Sequence, residues 1–360
     1  MRRVNHERGN EMKTGLTLQE MAQELERQRE AKHDYLVDTR KLRFSVGTDG
    51  VALSGLPGGE QSVRRTAHQQ FASLTGIPKP YYDRMASDAP DLLAENLNHW
   101  LETQPKKRLV RTIDGSVRAI LSDRYRALDN YDLAMAVLPK LGQLEATVQS
   151  TDITEDRFYL KAVTERISGE VKQGDRIQAG IVVSNSEVGR GRLSIQEMDY
   201  RLVCTNGMIR AHVVKKTHLG RSGFADDALE DAREFFRDET RMLEDKAFFH
   251  KLQDAASAMF DEGRFMERLH EYSNAAQQQI EADPVETVQE IGKRMKLNDS
   301  ETSGVLKHLI TGGDLSKWGA ANAITRYSQD VESYDRATEL EAIGGDVIEL
   351  SPQEWSKVAV

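Results

Sequence analysis

Arginine and tyrosine residues are adjacent at two places where the sequence pattern predicts β-strands. Arg124 and Arg126 flank Tyr125, and Arg201 follows Tyr200. Guanidinium groups bind phosphates and tyrosine rings stack on bases, the combination that binding of single-stranded nucleic acid requires. If these side chains face one groove, we expect a sequence-independent site for single-stranded DNA. The predicted nucleic-acid-binding residues are Arg118, Arg124, Tyr125, Arg126, Asn185, Arg190, Arg192, Tyr200, Arg201, Lys215 and Lys216.

A structural interpretation of the same residues stays open. Both tyrosines would then be half-buried, and nearby carboxylates would neutralise the arginines. Asn185 could bond to the backbone at a strand end, and Asn206-Gly207 suits a tight turn. The carboxylates available for such pairing are Asp123, Asp129, Glu197 and Asp199.

A carboxylate, followed by a second carboxylate and a lysine, offers an alternative enzymatic interpretation. Asp156 with Glu170 and Lys172 matches the loose pattern of metal-dependent nucleases. In those enzymes two carboxylates hold a divalent ion and the lysine orients the attacking water. Gly169 and Gly174 favour a solvated hairpin turn instead.

Other catalytic patterns are missing from the sequence. It contains no G-x-x-x-x-G-K-[ST], H-E-x-x-H, C-x-x-C or G-x-S-x-G segment, and its 9 histidines show no metal-ligand spacing. We therefore expect neither a cofactor nor a structural metal, and we favour a non-enzymatic function.

Charge is divided unequally along the chain. Residues 1–225 carry 34 Lys/Arg against 29 Asp/Glu, whereas residues 226–360 carry 15 against 29. Positive charge is concentrated at 190–221, where the alternation is typical of β-structure. A basic sheet followed by acidic helices indicates binding of a polyanion, limited by the protein's own acidic segment.

No membrane or export segment is recognisable in the sequence. The longest apolar runs fall far short of the roughly 18 residues that a membrane span needs, and the charged start lacks the apolar stretch of a signal peptide. We expect a cytoplasmic protein of a bacterial host. The single cysteine, Cys204, is expected in the core.

The pattern of elements predicts an α+β fold, in which an antiparallel β-meander with packed helices precedes an acidic all-helical C-terminal region. Four strands are expected between 146 and 203, with 208–214 pairing back across Thr205-Asn206-Gly207. One face of this meander should lie in water. We divide the chain into an N-terminal helix and hairpin (1–58), an α+β core with the basic sheet (59–222) and the helical region (223–360).

Four segments resemble a family of phage- and plasmid-like proteins of unknown function, the YafZ/YfjQ type. They are 118–130 (RAILSDRYRALDN), 184–189 (SNSEVG), 201–208 (RLVCTNGM) and, late in the chain, 322–326 (NAITR) with Glu339-Leu340-Glu341. The resemblance covers roughly residues 60–345 and implies a mobile-element setting, without catalytic residues to carry over.

The predicted hairpin, helix and basic meander are also similar in architecture to phage single-strand annealing proteins of the RecT, Redβ and Erf types. That analogy implies a homo-oligomeric ring or filament that holds DNA along a positive groove. Our leading hypothesis is therefore non-enzymatic single-stranded DNA binding and annealing. Two alternatives stay open: the metal-dependent nuclease, and an anti-defence or regulatory accessory factor whose acidic helices contact a protein partner.

Overall fold

The computed structural model describes residues 15–48, 50–125, 128–203, 205–216 and 238–359. These ranges contain eleven strands and twelve α-helices. The strands are β1 Lys32–Asp38, β2 Arg43–Gly47, β3 Gly50–Leu56, β4 Gly59–Val63, β5 Lys107–Ile113, β6 Ser116–Ser122, β7 Ala146–Ile153, β8 Phe158–Lys172, β9 Asp175–Asn185, β10 Leu193–Arg201 and β11 Asn206–Lys216. The helices are α1 Leu18–Ala31, α2 Arg65–Thr75, α3 Lys79–Asp88, α4 Pro90–Thr103, α5 Asn130–Gln143, α6 Asp238–Met259, α7 Glu262–Gln277, α8 Pro284–Met295, α9 Asp299–Gly312, α10 Lys317–Tyr327, α11 Tyr334–Glu349 and α12 Pro352–Ala359.

The first sheet has six strands in the order β1-β5-β6-β4-β3-β2. Its neighbours are antiparallel except β4 and β6, which are parallel. Helices α2 to α4 contribute apolar residues that pack on this sheet, among them Phe71, Tyr82 and Leu97. Phe71 meets Phe44 of β2 edge-to-face, with ring centroids 4.9 Å apart.

The second sheet is an antiparallel meander in the order β11-β10-β9-β8-β7. One face belongs to the main core, in which strand residues such as Leu160 and Ile181 cluster with Leu252 of α6 and Phe265 of α7. The helices after residue 238 therefore complete the core of the sheet, because the strands alone cannot remove these apolar side chains from water.

The opposite face of the second sheet is covered as well. Val163, Val182 and Met198 are buried there with Ala342 of α11 packed against them. A Cβ at Gly345 of α11 would overlap the backbone oxygen of Ile209, so helix and strand are in direct contact. The prediction that one face of the meander lies in water is thus wrong: α11 occupies that face.

The predicted fold class, α+β with an antiparallel meander and a helical C-terminal region, is confirmed. The predicted domain boundary at 58/59 falls in the turn between β3 and β4, which pair in one sheet. The boundary at 222/223 lies outside the described residues, as does Cys204. None of the described helices is both long enough and apolar enough to cross a membrane.

Candidate phosphate-binding pocket

A cavity of about 460 Å³ lies where α1, the start of α2, the first sheet and the turn between β7 and β8 meet. Its volume is in the lower part of the range of roughly 300–1,000 Å³ that small-molecule sites occupy. Four arginines and two glutamates line it, and each arginine also lies within 4 Å of a carboxylate. The lining residues are Glu24, Arg27, Gln28, Arg64, Arg65, Ile113, Arg118, Ile153, Thr154 and Glu155, and we call this cavity the arginine pocket.

Helix α1 supplies the first arginine. A capping box between Thr17 and Glu20 starts the helix, which buries Met21 and presents Arg27 to the pocket. The Arg27 Nη1 donates to Asp114 Oδ1 at 2.9 Å, and its Nε donates to Glu24 Oε2 at 2.8 Å. The hydrogen bond from Arg27 holds the pKa of Glu24 below its ordinary value, so this carboxylate stays charged. Arg27 is therefore held in position by two fixed carboxylates.

The second arginine, Arg64, is the N-cap residue of α2. Its side chain makes no capping bond to the helix; Nε instead donates to the Ser116 hydroxyl at 2.8 Å. Burial lowers the pKa of Arg64, and the positive charges of Arg118 and Arg27 lower it further, against the attraction of nearby carboxylates. The arginines of the pocket thus repel one another, which an anion placed among them would relieve.

The third arginine, Arg65, is the first residue of α2 and lies at the mouth of the pocket. Its guanidinium pairs with Asp156 at 3.0 Å and Glu155 at 3.4 Å. The backbone N–H of Thr66 donates to Glu155 Oε1 at 3.2 Å. Helix N-termini carry partial positive charge and bind anions. Glu155 therefore occupies a position that a phosphate oxygen would also suit.

The fourth arginine, Arg118, lies at the base of the pocket and is only 5% exposed. Its Nη1 donates to Glu187 Oε2 at 2.7 Å. A guanidinium carries five N–H donors, so this single bond leaves other donors for a ligand in the cavity. Arg118 was predicted to bind nucleic acid; it lies on β6 of the first sheet, away from the meander, and is buried.

Glu187 is the centre of a buried ionic network at the junction of the two sheets. It is 1% exposed and also accepts from the backbone N–H of Asn130 at 2.7 Å and from Lys32 Nζ at 3.3 Å. Arg111 donates to its backbone oxygen at 2.9 Å. Burial raises the pKa of Glu187, but Arg118, Lys32 and Arg111 outweigh burial and hold it at about 2. The carboxylate is therefore ionised at all physiological pH values.

Asn185 also belongs to this junction. Its amide nitrogen donates to the Leu128 backbone oxygen and to the Asn130 side-chain oxygen, each at 2.8 Å. At 1% exposure Asn185 has no surface to offer a nucleic acid, so the predicted binding role is wrong and the structural interpretation holds. The segments 118–130 and 184–189 thus meet in the fold behind the arginine pocket, which the first of them lines through Arg118.

A basic rim continues outward from the pocket. Asp156 pairs with Arg65 and lies 3.9 Å from Arg190, which is exposed. Arg124 and Arg192 are also exposed and form no ion pair with any described residue. We call Arg124, Arg190 and Arg192 the basic rim.

The segment between β9 and β10 lies beside Tyr125 and so connects the residues of the basic rim. Tyr125 donates its hydroxyl to the Ser186 backbone oxygen at 2.9 Å, and Gly189 lies beside its ring. Arg192 is three residues from Gly189 in the sequence, so their backbones are at most about 10 Å apart. In the β10–β11 pair, Leu193 is opposite Lys216 and Ser194 is opposite Lys215, so the backbones of both lysines are near Arg192. The side chains of Lys215 and Lys216, and the whole of Arg126, are outside the described part of the chain.

Three of the predicted residues do not face a shared groove. Arg201 forms a bidentate pair with Asp175 at 2.5 and 2.8 Å, and Tyr200 is 8% exposed. Both lie at the opposite end of β10 from Arg192. Tyr125 is half-buried with its hydroxyl bonded. Stacking of bases on Tyr200 and a phosphate contact by Arg201 are therefore wrong predictions. Pairing with carboxylates occurs as the structural interpretation expected, but with Glu187 and Asp175 as partners.

The nuclease triplet does not assemble. Asp156 precedes β8 beside the Asn185 end of β9, whereas Glu170 is opposite Arg176. Those positions are nine residues apart along β9, or about 30 Å. No group of three or more His, Cys, Asp or Glu that could hold a metal occurs among the described residues. The nuclease interpretation therefore lacks its site.

Arg27, Arg64 and Arg65 were not predicted to act together. They come from α1 and from the start of α2, segments without the arginine-tyrosine alternation, and the chain brings them to Arg118 only when folded. One sequence signal exists: Arg64-Arg65 begins a helix whose first turn contains no acidic residue. Cations are unfavourable at a helix N-terminus unless an anion accompanies them.

Comparison with known proteins places the chain in a family without an assigned activity. No curated protein and no solved structure matches it. The family described as Domain of unknown function (DUF932) matches residues 118–343. That match covers more than half of the chain, including Arg118, Glu187 and the basic rim, whereas α1 and α2 precede it. The chain therefore belongs to the DUF932 family.

Proposed function

We propose that the protein binds single-stranded DNA through its phosphates, without catalysis, and promotes annealing of complementary strands. The observation that carries this proposal is the basic rim beside the arginine pocket, in which Arg124 and Arg192 are exposed and form no ion pair with any described residue. A polyanion is the ligand that such exposed cations suit.

The binding path we propose runs from the pocket past Arg65 to the basic rim. Asp156 connects the two parts, because it contacts Arg65 on one side and approaches Arg190 on the other. Phosphate binding releases counterions from DNA, and this release makes affinity fall with salt. The net charge of -9 arises from the excess of acidic residues in 226–360. At physiological ionic strength, exposed charges farther than about 8 Å are largely screened.

The annealing step of this proposal depends on how the bases are left when the phosphates are bound. Neither tyrosine predicted to stack on bases presents a free ring, since Tyr200 is buried and Tyr125 packs beside Gly189. A strand held by phosphates alone keeps its base edges free to pair. We propose that copies of the protein assemble into a ring or filament, so that successive basic rims hold a longer strand.

A salt titration tests the binding path. Fluorescence anisotropy with a single-stranded oligonucleotide should show log affinity falling linearly with log salt. The double variant Arg124→Gln/Arg192→Gln should reduce the slope by about 1.4, because each phosphate contact to a single strand contributes about 0.7.

The matched control for this titration is Arg84→Gln/Arg166→Gln. These arginines are 78% and 61% exposed. The variant removes an equal number of positive charges from residues outside the pocket and the rim. It should leave the slope within about 0.3 of the wild-type value. Equal slopes for the two double variants would refute the path.

Annealing and assembly need separate measurements. Fluorescence quenching between complementary labelled strands should accelerate in the presence of the wild-type protein, and sedimentation should show an oligomer with DNA. A chain without any salt-sensitive DNA binding would support the accessory-factor alternative, in which the acidic residues of 226–360 contact a basic protein partner.

We propose that the protein acts in the bacterial cytoplasm and that a phage or plasmid encodes it, as for proteins of the YafZ/YfjQ type. The four segments that resemble those proteins support this setting. Two of these segments, 118–130 and 184–189, meet at the Arg118–Glu187 pair, and Arg118 lines the arginine pocket.

A further inference from the structure

The first sheet ends at β1, a strand of seven residues whose outer edge pairs with no described segment of the chain. A free edge exposes backbone N–H and C=O groups, and proteins usually protect it with proline, a bulge or outward-pointing charges. Strand β1 contains no proline, and its pairing with β5 runs without a register shift. Two of its charged side chains have partners within the chain, since Lys32 pairs with Asp129 and Asp34 pairs with Arg111. The edge is therefore open to another strand.

A row of leucines crosses the sheet to this edge. Leu36 of β1 is directly opposite Leu109 of β5, which is directly opposite Leu121 of β6. Directly opposite residues share a face of the sheet, so these three side chains form one apolar row, which we call the leucine row. At its inner end Leu121 is 8% exposed and clusters with Val188 and Tyr125. At its outer end Leu36 is 52% exposed, and a further strand would cover it.

Exposed apolar side chains on strands are confined to the two edges of this sheet. Among the described strand residues, only Leu36 of β1 and Val46 of β2 are large, apolar and exposed, each at 52%. Strand β2 has five residues, and Val46 is next to Gly47, where the hairpin to β3 turns. Strand β1 is longer and continues on both sides of Leu36. Of the two edges, β1 therefore offers the better pairing surface.

We propose that β1 pairs antiparallel with β1 of a second copy of the chain, across a two-fold axis beside Leu36. In this register Leu36 is opposite Leu36 of the second copy, so the two leucine rows join into one. On the other face of the sheet, Tyr35 is opposite Val37 of the second copy, and both pack on the apolar cluster of the first sheet. The edge is thus complementary to itself, as an isologous two-fold interface requires.

The charges of β1 select this register. A shift by two residues in either direction would place Leu36 opposite a carboxylate, that of Asp34 or that of Asp38. In the proposed register Asp34 is opposite Asp38 of the second copy instead. Each of these carboxylates has an arginine of its own chain beside it, Arg111 and Arg40 respectively. The four charges therefore balance across the interface, and the apolar residues meet one another.

This pairing also arranges the two basic rims. A two-fold axis perpendicular to the sheet keeps both leucine rows on one face of a continuous sheet. Tyr125 packs against the row on that face, and the rim residue Arg124 precedes it. The two copies of Leu121 are five strand spacings apart, or about 24 Å. One DNA strand can then contact both rims, a consequence that rests on the proposed function, whereas the dimer itself does not. The dimer is the unit from which the proposed ring or filament is built.

Sedimentation velocity of the full chain without DNA tests the dimer. We expect a species of two chains at micromolar concentration. Leu36→Lys should weaken dimerisation by at least about thirtyfold, because two leucines lose their burial and two cations meet near the axis. The matched control is Val46→Lys, which makes the same change in charge at an apolar residue of equal exposure on the other edge. It should leave the dimerisation constant within about twofold, and a thermal melt of each variant verifies folding.

Disulfide cross-linking tests the register. In a chain whose single cysteine is removed by Cys204→Ser, Leu36→Cys should form a disulfide-linked dimer on oxidation. Directly opposite residues in an antiparallel pair have Cα atoms about 4.5–5.5 Å apart, a separation that a disulfide can bridge. The control His33→Cys lies on the same strand and is also exposed. In the proposed register its two copies are six residues out of alignment, or about 20 Å apart, so it should not cross-link.

The possible results separate this inference from the proposed function. A chain that sediments as a monomer overturns the interface, and so does a dimer that Leu36→Lys leaves intact. Loss of the dimer with Val46→Lys alone would place the contact at β2. A dimer that cross-links through His33→Cys and not through Leu36→Cys overturns the register. A dimer of the expected behaviour that shows no salt-sensitive DNA binding supports this inference and overturns the proposed function.

Discussion

Replacing Glu187 by glutamine should destabilise the protein strongly. Glu187 is 1% exposed and receives charged hydrogen bonds from Arg118 and Lys32, with Arg111 close by. Glutamine has nearly the same shape but no charge. The variant therefore removes the carboxylate that pairs with the buried Arg118, whereas Lys32 and Arg111 keep Asp129, and it preserves the packing of the junction.

The magnitude follows from the pKa of this carboxyl group. Its ordinary pKa of 4.5 is lowered to about 2 in the folded protein. At about 1.4 kcal/mol per pKa unit, the charged form contributes about 3 kcal/mol to stability at neutral pH. Removing one partner of a buried ion pair typically costs about 3–5 kcal/mol, which agrees with this value.

Thermal unfolding measures the effect. Cooperative unfolding of 360 residues has an entropy of about 0.8 kcal/mol/K, so 3 kcal/mol lowers the Tm by about 4 °C at pH 7. Because the folded pKa is lowered, this contribution is complete above pH 4.5 and disappears as pH falls towards 2. The difference in Tm between wild type and variant should therefore shrink over the same interval.

The control is Glu95→Gln, on the exposed surface of α4. It should change Tm by less than about 1 °C at every pH. A Glu187→Gln variant as stable as this control, or a Tm difference independent of pH between 2 and 5, would refute the charge network as the connection between the sheets.

Two further predictions concern packing on the second sheet. Gly345→Ala should destabilise the protein by more than about 2 kcal/mol in urea unfolding, because its Cβ would overlap the Ile209 backbone oxygen. Gly142→Ala in α5, where a Cβ meets nothing, should be neutral or stabilise by up to about 1 kcal/mol; similar effects at both sites would contradict the tight contact of α11. Lys161→Met should cost about 3–5 kcal/mol by removing the cation that pairs with the buried Glu341 at 2.5 Å, whereas Lys161→Met/Glu341→Leu should recover most of that loss. An equally unstable double variant would show that the packing of these two side chains, and not their ion pair, accounts for the loss.

Local sequence signals account for elements that depend on neighbouring residues. The Thr17–Glu20 capping box starts α1, and α2 ends at Gly76 with φ 71°. Thr205 adopts φ 47° in the turn that joins β10 to β11. Turns and caps are predictable because the residues that need an unusual φ or a side-chain bond lie within the same few positions.

Strands that pair with distant segments were missed. β1 follows α1 directly and pairs with β5, more than 70 residues later. β4 is a short segment, Gly59–Val63, which pairs with β3 and in parallel with β6. Neither has an apolar alternation strong enough to indicate a strand, because their stability comes from partners elsewhere in the chain.

The sequence by itself determined the α+β class, the meander between 146 and 216 and the separation of basic from acidic residues. Only the tertiary structure decided which arginines work together. Whether a cation faces solvent depends on which helix covers its strand. The helix that covers this face of the meander, α11, lies far along the chain from the strands that it covers. The arginine pocket combines α1, α2 and β6 for the same reason: electrostatic sites depend on distances in space, and a charge pattern along the chain does not contain them.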